Sequence, residues 1–69
     1  MQEDYLYWIF VDNKPIQGGL YNNLENAKNW ADKKQYLNCH IEKYNMKNAK
    51  RGIIDMDDRS NILMEIITE

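Results

Sequence analysis

The first strong hydrophobic pattern in the chain is YLYWIFV, which occupies residues 5–11. Successive side chains of a β-strand point to opposite faces of its sheet, and this segment is apolar at every position. One face would carry Tyr5, Tyr7, Ile9 and Val11, and the other would carry Leu6, Trp8 and Phe10. A strand that is apolar on both faces is expected at the centre of a sheet, where both faces need a cover.

A return strand is predicted directly after this segment. Asp12 and Asn13 are turn-forming residues, and Asn tolerates the positive φ that tight hairpin turns require. Pro15 has no N–H to donate, which suits the start of a strand or a sheet edge. The segment IQGGLY, residues 16–21, therefore completes a β-hairpin, and its Gly18–Gly19 pair predicts a bulge or bend.

The hydrophobic period then changes from 2 to 3.6 residues, over NNLENAKNWADKKQYLN at residues 22–38. Asn22 or Asn23 can cap a helix that begins here. The stripe facing the sheet would consist of Leu24, Ala27, Trp30, Ala31, Lys34 and Leu37. The pattern predicts one amphipathic helix that packs on one face of the sheet.

The C-terminal part begins with a strand-like segment, CHIEKYNM, and a polar loop, KNAKRG. The remaining residues allow two interpretations. As a hairpin, GIIDMD and NILMEIIT flank a turn near Asp58; as a helix, Asp57 or Asp58 caps an apolar stripe through residues 58–68. Several Ile residues and a Thr favour the hairpin, because β-branched residues are poor helix formers.

The expected fold is one α+β domain spanning residues 1–69. It would hold an antiparallel sheet of three to five strands, in the order ββαβ plus a C-terminal hairpin, with one main helix on one face. A chain of 69 residues lies near the lower limit for independent folding. Its 43% hydrophobic content is untypical of a disordered chain, and a single cysteine, Cys39, excludes an internal disulfide. Oligomerisation is the remaining way to add stability.

The sequence also predicts a cytoplasmic location. No run of about 18 apolar residues is present to span a membrane. The N-terminus, MQEDYLYW, is acidic, whereas a secretory signal begins with positive charge.

Charge is distributed unevenly along the chain. The formal net charge is −2, yet residues 28–51 carry seven basic side chains and two acidic ones. A basic segment of this kind can contact a phosphate backbone, which makes nucleic-acid binding an alternative function. Its candidate residues are Lys43, Lys47, Lys50 and Arg51.

Candidate catalytic and metal-binding patterns are incomplete. Cys39 and His40 would point to opposite faces of a strand, so a buried thiol and a surface histidine are expected. DMDDRSN, residues 55–61, departs from a calcium loop because Arg59 occupies a ligand position and no Gly follows. We therefore expect no catalytic residue, no metal site and no cofactor, and predict that the chain is not an enzyme.

The doubly apolar strand indicates a protein-binding function. If the helix covers one face and the C-terminal segment extends the sheet, an aromatic face is left for a partner, because large exposed apolar patches are usually association surfaces. If residues 58–68 instead form a helix that covers this face, the strand is only core. The candidate contact residues are Tyr5, Tyr7, Trp8 and Phe10. The expected partners are a second copy of the chain, forming a homodimer, and another protein.

The pattern YWIFVDNKPIQGG followed by NLENAKNWADKK resembles the hairpin-plus-helix arrangement of many short phage and prophage proteins of low-GC bacteria. The resemblance covers residues 5–37. It implies a small non-enzymatic binder that modulates a host or phage protein, and it supplies no catalytic residues.

Overall fold

The structure is a computed structural model, and it describes residues 5–49, 54 and 57–68. It consists of a four-stranded antiparallel sheet with one main helix on one face. Its elements are β1 (Tyr5–Val11), β2 (Lys14–Tyr21), α1 (Leu24–Lys34), β3 (Cys39–Asn45), a 3₁₀ turn (Met46–Asn48), the one-turn helix α2 (Arg59–Ile62) and β4 (Leu63–Thr68). The spatial order of the strands is β2-β1-β3-β4. The predicted α+β class and the central position of YLYWIFV are confirmed.

The turn between β1 and β2 has the tight geometry that the sequence predicts. Asp12 and Asn13 have φ values of 54° and 65°, and Val11 lies opposite Lys14. Positive φ at both central residues matches the right-handed twist of the flanking strands. The backbone N–H of Asp12 donates to the Asn38 carbonyl over 3.0 Å, which joins this turn to the start of β3.

A bulge interrupts the pairing of β1 with β2, as the Gly18–Gly19 pair predicts. Trp8 lies opposite Leu20 and Phe10 lies opposite Pro15, so residues 16–19 of β2 stand against Ile9 alone. The indole N–H of Trp8 donates to the Ile16 carbonyl over 3.1 Å. That bond supplies a partner for a carbonyl in the stretch where the ladder pairing is interrupted.

Gly19→Ala is expected to destabilise the fold by about 1–3 kcal/mol, because overpacking forces neighbouring atoms to move. A Cβ on Gly19 would lie 2.5 Å from Ile16 Cγ1 and 3.3 Å from Ile9 Cβ. Urea unfolding measures the loss. Gly18→Asn is the matched control: no atom lies within 4 Å of the added Cβ, and the backbone strain of a side chain at its φ of +79° is smallest for Asn, which visits the left-handed region more readily than other residues. Equal losses in the two variants would contradict the steric explanation.

The helix α1 begins as the sequence predicts and ends earlier. The side chain of Asn23 caps it by accepting from the Asn26 backbone N–H over 3.1 Å. Gln35 then adopts a left-handed conformation, and its N–H bonds back to the Asp32 carbonyl. This cap terminates the helix at Lys34. The predicted extension to residue 38 is wrong, and Leu37 lies outside the helix with 84% of its surface exposed.

The main core lies between α1 and the face of the sheet that we call the helix face. Ala27 and Ala31 are buried, and they pack with Ile9 and Ile41 from the two central strands. Their small side chains allow a close approach of the helix to the sheet. Leu24 and Trp30 pack against this core, so four of the six predicted stripe residues cover this face, while Lys34 is exposed.

The C-terminal segment combines parts of both sequence interpretations. Residues 59–62 form one helical turn, and residues 63–68 form a strand that pairs with β3. A helix continuing to residue 68 is wrong, because Ile67 lies opposite Ile41 in the sheet and contacts the core. The first strand of the predicted hairpin, GIIDMD at residues 52–57, falls mainly outside the described residues.

Candidate functional site: the second face and the β4 edge

The side of the sheet that faces away from α1, here the second face, holds the even-numbered side chains of β1 and β3. Cross-strand partners share a face, which assigns to it Leu6, Trp8, Phe10, Pro15, Leu20, His40, Glu42, Tyr44, Leu63, Ile66 and Thr68. The four predicted contact residues are therefore divided. Tyr5 and Tyr7 lie on the helix face, whereas Trp8 and Phe10 lie on the second face.

The centre of the second face is covered, which corrects the expectation of an open aromatic face. Phe10 is 1% exposed and Tyr7 is 7% exposed, so neither presents much surface to a partner. Trp8 and Tyr5 are half-buried. Whether these four residues bind a protein stays a prediction, but only Trp8 and Tyr5 retain accessible surface for it.

The cover of Phe10 includes aromatic neighbours and a cation. The ring of His40 stacks on Phe10 at a centroid distance of 5.0 Å, and Trp8 meets Phe10 edge-on at 5.7 Å. From α2, the Arg59 guanidinium lies 5.0 Å from the centre of the Phe10 ring. Ile62, at the end of α2, is 1% exposed. The single turn of α2 thus contributes the Arg59 cation above Phe10 and the buried side chain of Ile62.

A buried carboxylate connects α2 to the sheet. Glu42 is 5% exposed, and its Oε1 accepts from the Tyr44 hydroxyl over 2.6 Å. The same oxygen lies 3.4 Å from Arg59 Nε, and Oε2 lies 3.0 Å from His40 Nε2. A buried carboxylate is stable only with such partners, because it has lost its water. We call these four residues the Glu42 network.

The electrostatics of the Glu42 network keep the Tyr44 hydroxyl protonated. Burial raises the pKa of Tyr44 well above its usual value, and the hydrogen bond to the Glu42 carboxylate raises it further. A carboxylate, an imidazole and a phenol within hydrogen-bond reach are groups that acid–base catalysis uses. Tyr44 is 0% exposed and Glu42 is 5% exposed, so both groups are buried. Through Arg59, the network links α2 to β3.

The sequence reasoning did not identify the Glu42 network. It assigned His40 to the surface, which is wrong, because the side chain is 16% exposed and paired with Glu42. The placement of Cys39 and His40 on opposite faces is as predicted. The alternation of His40, Glu42 and Tyr44 on one strand was an available signal for one polar face. Arg59, which pairs with Glu42, belongs to the C-terminal segment that allowed two interpretations, so this contact could not be predicted.

Exposed apolar side chains lie at the margins of the second face. A row crosses the whole sheet from Leu20 through Trp8 and Glu42 to Ile66, one residue from each strand. The two ends of this row are exposed, with Leu20 at 46% and Ile66 at 54%. Met64, also on β4, is 50% exposed. The accessible apolar surface of the second face is therefore at the sheet edges.

The two edges of the sheet differ in composition. The β2 edge contains Pro15, Lys14 and the glycine bulge, and each of these features discourages pairing with another strand. The β4 edge, LMEIIT, contains no Pro, Gly, Lys or Arg, and its pairing with β3 shifts register at Met64. Within the described part of the chain, β4 pairs with β3 on one side and with no strand on the other. It is the less protected edge.

The residues of the nucleic-acid alternative are not assembled into a described patch. The Lys43 ammonium lies 4.4 Å from the centre of the Tyr5 ring, and Lys43 faces Glu65 across the sheet. Lys47 is exposed in the 3₁₀ turn. Lys50 and Arg51 lie outside the described residues. Nucleic-acid binding stays a prediction.

No protein-family model, curated protein or solved structure matches this chain. In residues 5–49, 54 and 57–68, no three His, Cys, Asp or Glu side chains are grouped as a metal site. Neither described α-helix has the length and apolar character needed to cross a bilayer.

Proposed function

We propose that this chain is a non-enzymatic protein-interaction module that binds an extended segment of a partner protein along the β4 edge. The observation that carries the proposal is the contrast between the two edges. β2 is protected by Pro15, Lys14 and a bulge, while β4 has no Pro, Gly, Lys or Arg and exposes its Met64 and Ile66 side chains. The β3–β4 pairing shifts register only at Met64, which leaves residues 65–68 in regular pairing. Unprotected edge strands tend to pair with other strands.

Binding would extend the sheet by one strand. Main-chain N–H and C=O groups of β4 would pair with the partner, and exposed side chains would select it by contact at alternate positions. Burying the exposed half of Ile66 contributes about 1 kcal/mol. Each main-chain hydrogen bond adds about 1 kcal/mol net.

The Glu42 network has a defined part in this proposal. α2 ends at Ile62 and β4 begins at Leu63, with no residue between them. The contact of Arg59 with Glu42 therefore restrains the entry of the chain into β4. A strand edge that is held in place before binding loses less conformational entropy when the partner arrives.

The chemistry of β4 favours an apolar partner segment. Five of its six side chains are uncharged, and the sixth is Glu65, whose cross-strand neighbour is Lys43. The proposal agrees with the resemblance to short phage and prophage chains, which implies a modulator of another protein, and we place its action in the cytoplasm. The predicted homodimer is one occupant of the same edge.

Peptides selected from a random display library on the immobilised protein are expected to share apolar residues at alternate positions. They should bind Ile66→Lys at least about 10-fold more weakly than the wild type, because an edge lysine opposes strand pairing. Leu20→Lys is the matched control, since Leu20 has similar exposure on the same face at the other edge. Titrations followed by fluorescence anisotropy give the affinities. Selected peptides that bind Ile66→Lys as well as the wild type would refute the proposed surface.

A further inference from the structure

We infer that the β4 edge is occupied by the β4 edge of a second copy, in an antiparallel two-fold dimer centred on Ile66. This inference rests on the proposed function and names the partner. The two copies would form one continuous eight-stranded sheet. Both α1 helices would lie on the same side of it, because a two-fold axis perpendicular to a sheet reverses strand direction and keeps the faces.

Symmetry restricts the possible registers. Residues that face each other must lie on the same face, so the strand can be centred only on a residue, which then faces its own copy. Centring on Glu65 would place two like charges opposite each other, which is destabilising. Met64 lies at the register shift of the β3–β4 pairing, and centring on Ile67 would pair only residues 66–68 of β4. Centring on Ile66 pairs it with itself and places Met64 opposite Thr68 and Glu65 opposite Ile67. This register uses residues 64–68, most of β4 (Leu63–Thr68).

The charge pattern of β4 suits its own copy. The strand carries no basic side chain that would seek an acidic partner, and its one acid faces Lys43 of the same chain. In the Ile66-centred register, no carboxylate faces another. The two exposed Ile66 side chains would cover each other on the second face, where each is now 54% exposed.

The difference between the two edges gives a reason for a closed dimer. Once both β4 edges are paired, the outer edges of the eight-stranded sheet are the two β2 strands. These carry Pro15, Lys14 and the glycine bulge, which oppose further addition. In a two-fold dimer both copies use the same edge, so the two β4 edges are occupied and a third copy cannot be added there.

The size of the contact sets the expected affinity. The surface area buried by pairing five residues on each copy, including the side chains of Met64 and Ile66, is smaller than the roughly 1,200 Å² of a standard stable interface. We therefore expect a dissociation constant in the micromolar range, on the order of 1–100 µM. The chain would be dimeric when concentrated and monomeric on dilution.

Sedimentation velocity across a dilution series tests the dimer. The wild type and Leu20→Lys are expected to shift from dimer to monomer over the micromolar range, and Ile66→Lys is expected to weaken dimerisation at least about 10-fold. Circular dichroism of each variant verifies that it is folded. A wild-type chain that stays monomeric at millimolar concentration, or a dimer that Ile66→Lys leaves intact, would overturn the inference.

Thiol crosslinking tests the register. In a Cys39→Ala background, a short homobifunctional maleimide is expected to join two copies of Ile66→Cys efficiently. Thr68→Cys is the matched control, because in this register the two Thr68 positions lie roughly 14 Å apart, four residues along the strands. Efficient crosslinking of Thr68→Cys with none of Ile66→Cys would overturn the proposed register.

These outcomes separate the inference from the proposed function. A monomeric chain that still binds selected peptides in an Ile66-dependent way would refute the second copy as occupant and leave the β4 edge as the binding surface. A dimer that persists in Ile66→Lys, with peptides that also bind this variant, would refute both.

Discussion

Replacing Glu42 with alanine is expected to lower the free energy of unfolding by about 3 kcal/mol. The substitution removes the acceptor of the buried Tyr44 hydroxyl and the carboxylate that faces Arg59 and His40. A buried donor without an acceptor costs about 1–3 kcal/mol, and the lost contact with Arg59 adds to that. A domain of this size has a total stability of about 5 kcal/mol, so most of it would be lost.

Two further variants separate the network from general effects of charge. Glu65→Ala removes an exposed carboxylate from the same sheet and is expected to change stability by about 0.5 kcal/mol or less. Glu42→Gln keeps an acceptor for Tyr44 and loses the charge, so its effect should be intermediate. Urea unfolding monitored by tryptophan fluorescence gives all three values. A loss below about 1 kcal/mol in Glu42→Ala would show that the network does not stabilise the fold.

Alkaline pH is expected to destabilise the wild-type protein through Tyr44. Burial and the Glu42 carboxylate raise the pKa of this hydroxyl in the folded state above its value in the unfolded chain, which is about 10. The folded protein therefore holds a proton that the unfolded chain releases. The contribution is fully present below about pH 10 and is lost as the pH rises toward the raised pKa of the folded state. Each pH unit in this window costs about 1.4 kcal/mol.

Tyr44→Phe is the control for the alkaline effect. It is expected to be less stable at neutral pH by about 1 kcal/mol, because the hydrogen bond to Glu42 is lost. Between pH 10 and 12, however, the wild type is expected to lose about 2–3 kcal/mol more unfolding free energy than Tyr44→Phe. Unfolding free energies at pH 9, 10, 11 and 12 give the two slopes. Parallel curves would rule out Tyr44 as the group responsible.

Local patterns in the sequence predicted most of the fold. The Asp12–Asn13 turn, the glycine bulge and the Asn23 cap each depend on residues close in the chain, whose backbone preferences act over a few positions. The central position of β1 followed from its two apolar faces, since only an inner strand can bury both. Each of these features is determined by residues within a single segment of the chain.

Features that depend on contacts between distant segments were not predicted. The end of α1 depends on the left-handed Gln35, a conformation that non-glycine residues seldom adopt and that composition does not announce. Arg59 was considered only as a misplaced residue in a calcium-like loop, whereas it reaches Glu42 and Phe10 on the sheet. The pairing depends on where a short helical turn is packed.

The proposed binding surface differs from the predicted one because it, too, depends on contacts between distant segments. Alternation along β1 correctly indicated two apolar faces, but it could not show that the structure around α2 and the Glu42 network covers the centre of the second face. The surface proposed for a partner is instead the β4 edge. This edge could not be predicted before the strand order was known, because an edge is a property of the whole sheet.

Amide hydrogen exchange of the wild-type protein, measured by NMR at two concentrations, tests most directly whether β4 edges of two copies pair. Alternate N–H groups of β4, those pointing away from β3, are expected to exchange slowly in a millimolar sample and faster in a dilute one. Outward N–H groups of β2 should exchange at the same rate in both. Equal exchange of β4 at the two concentrations, or concentration-dependent protection of β2 instead, would contradict the account.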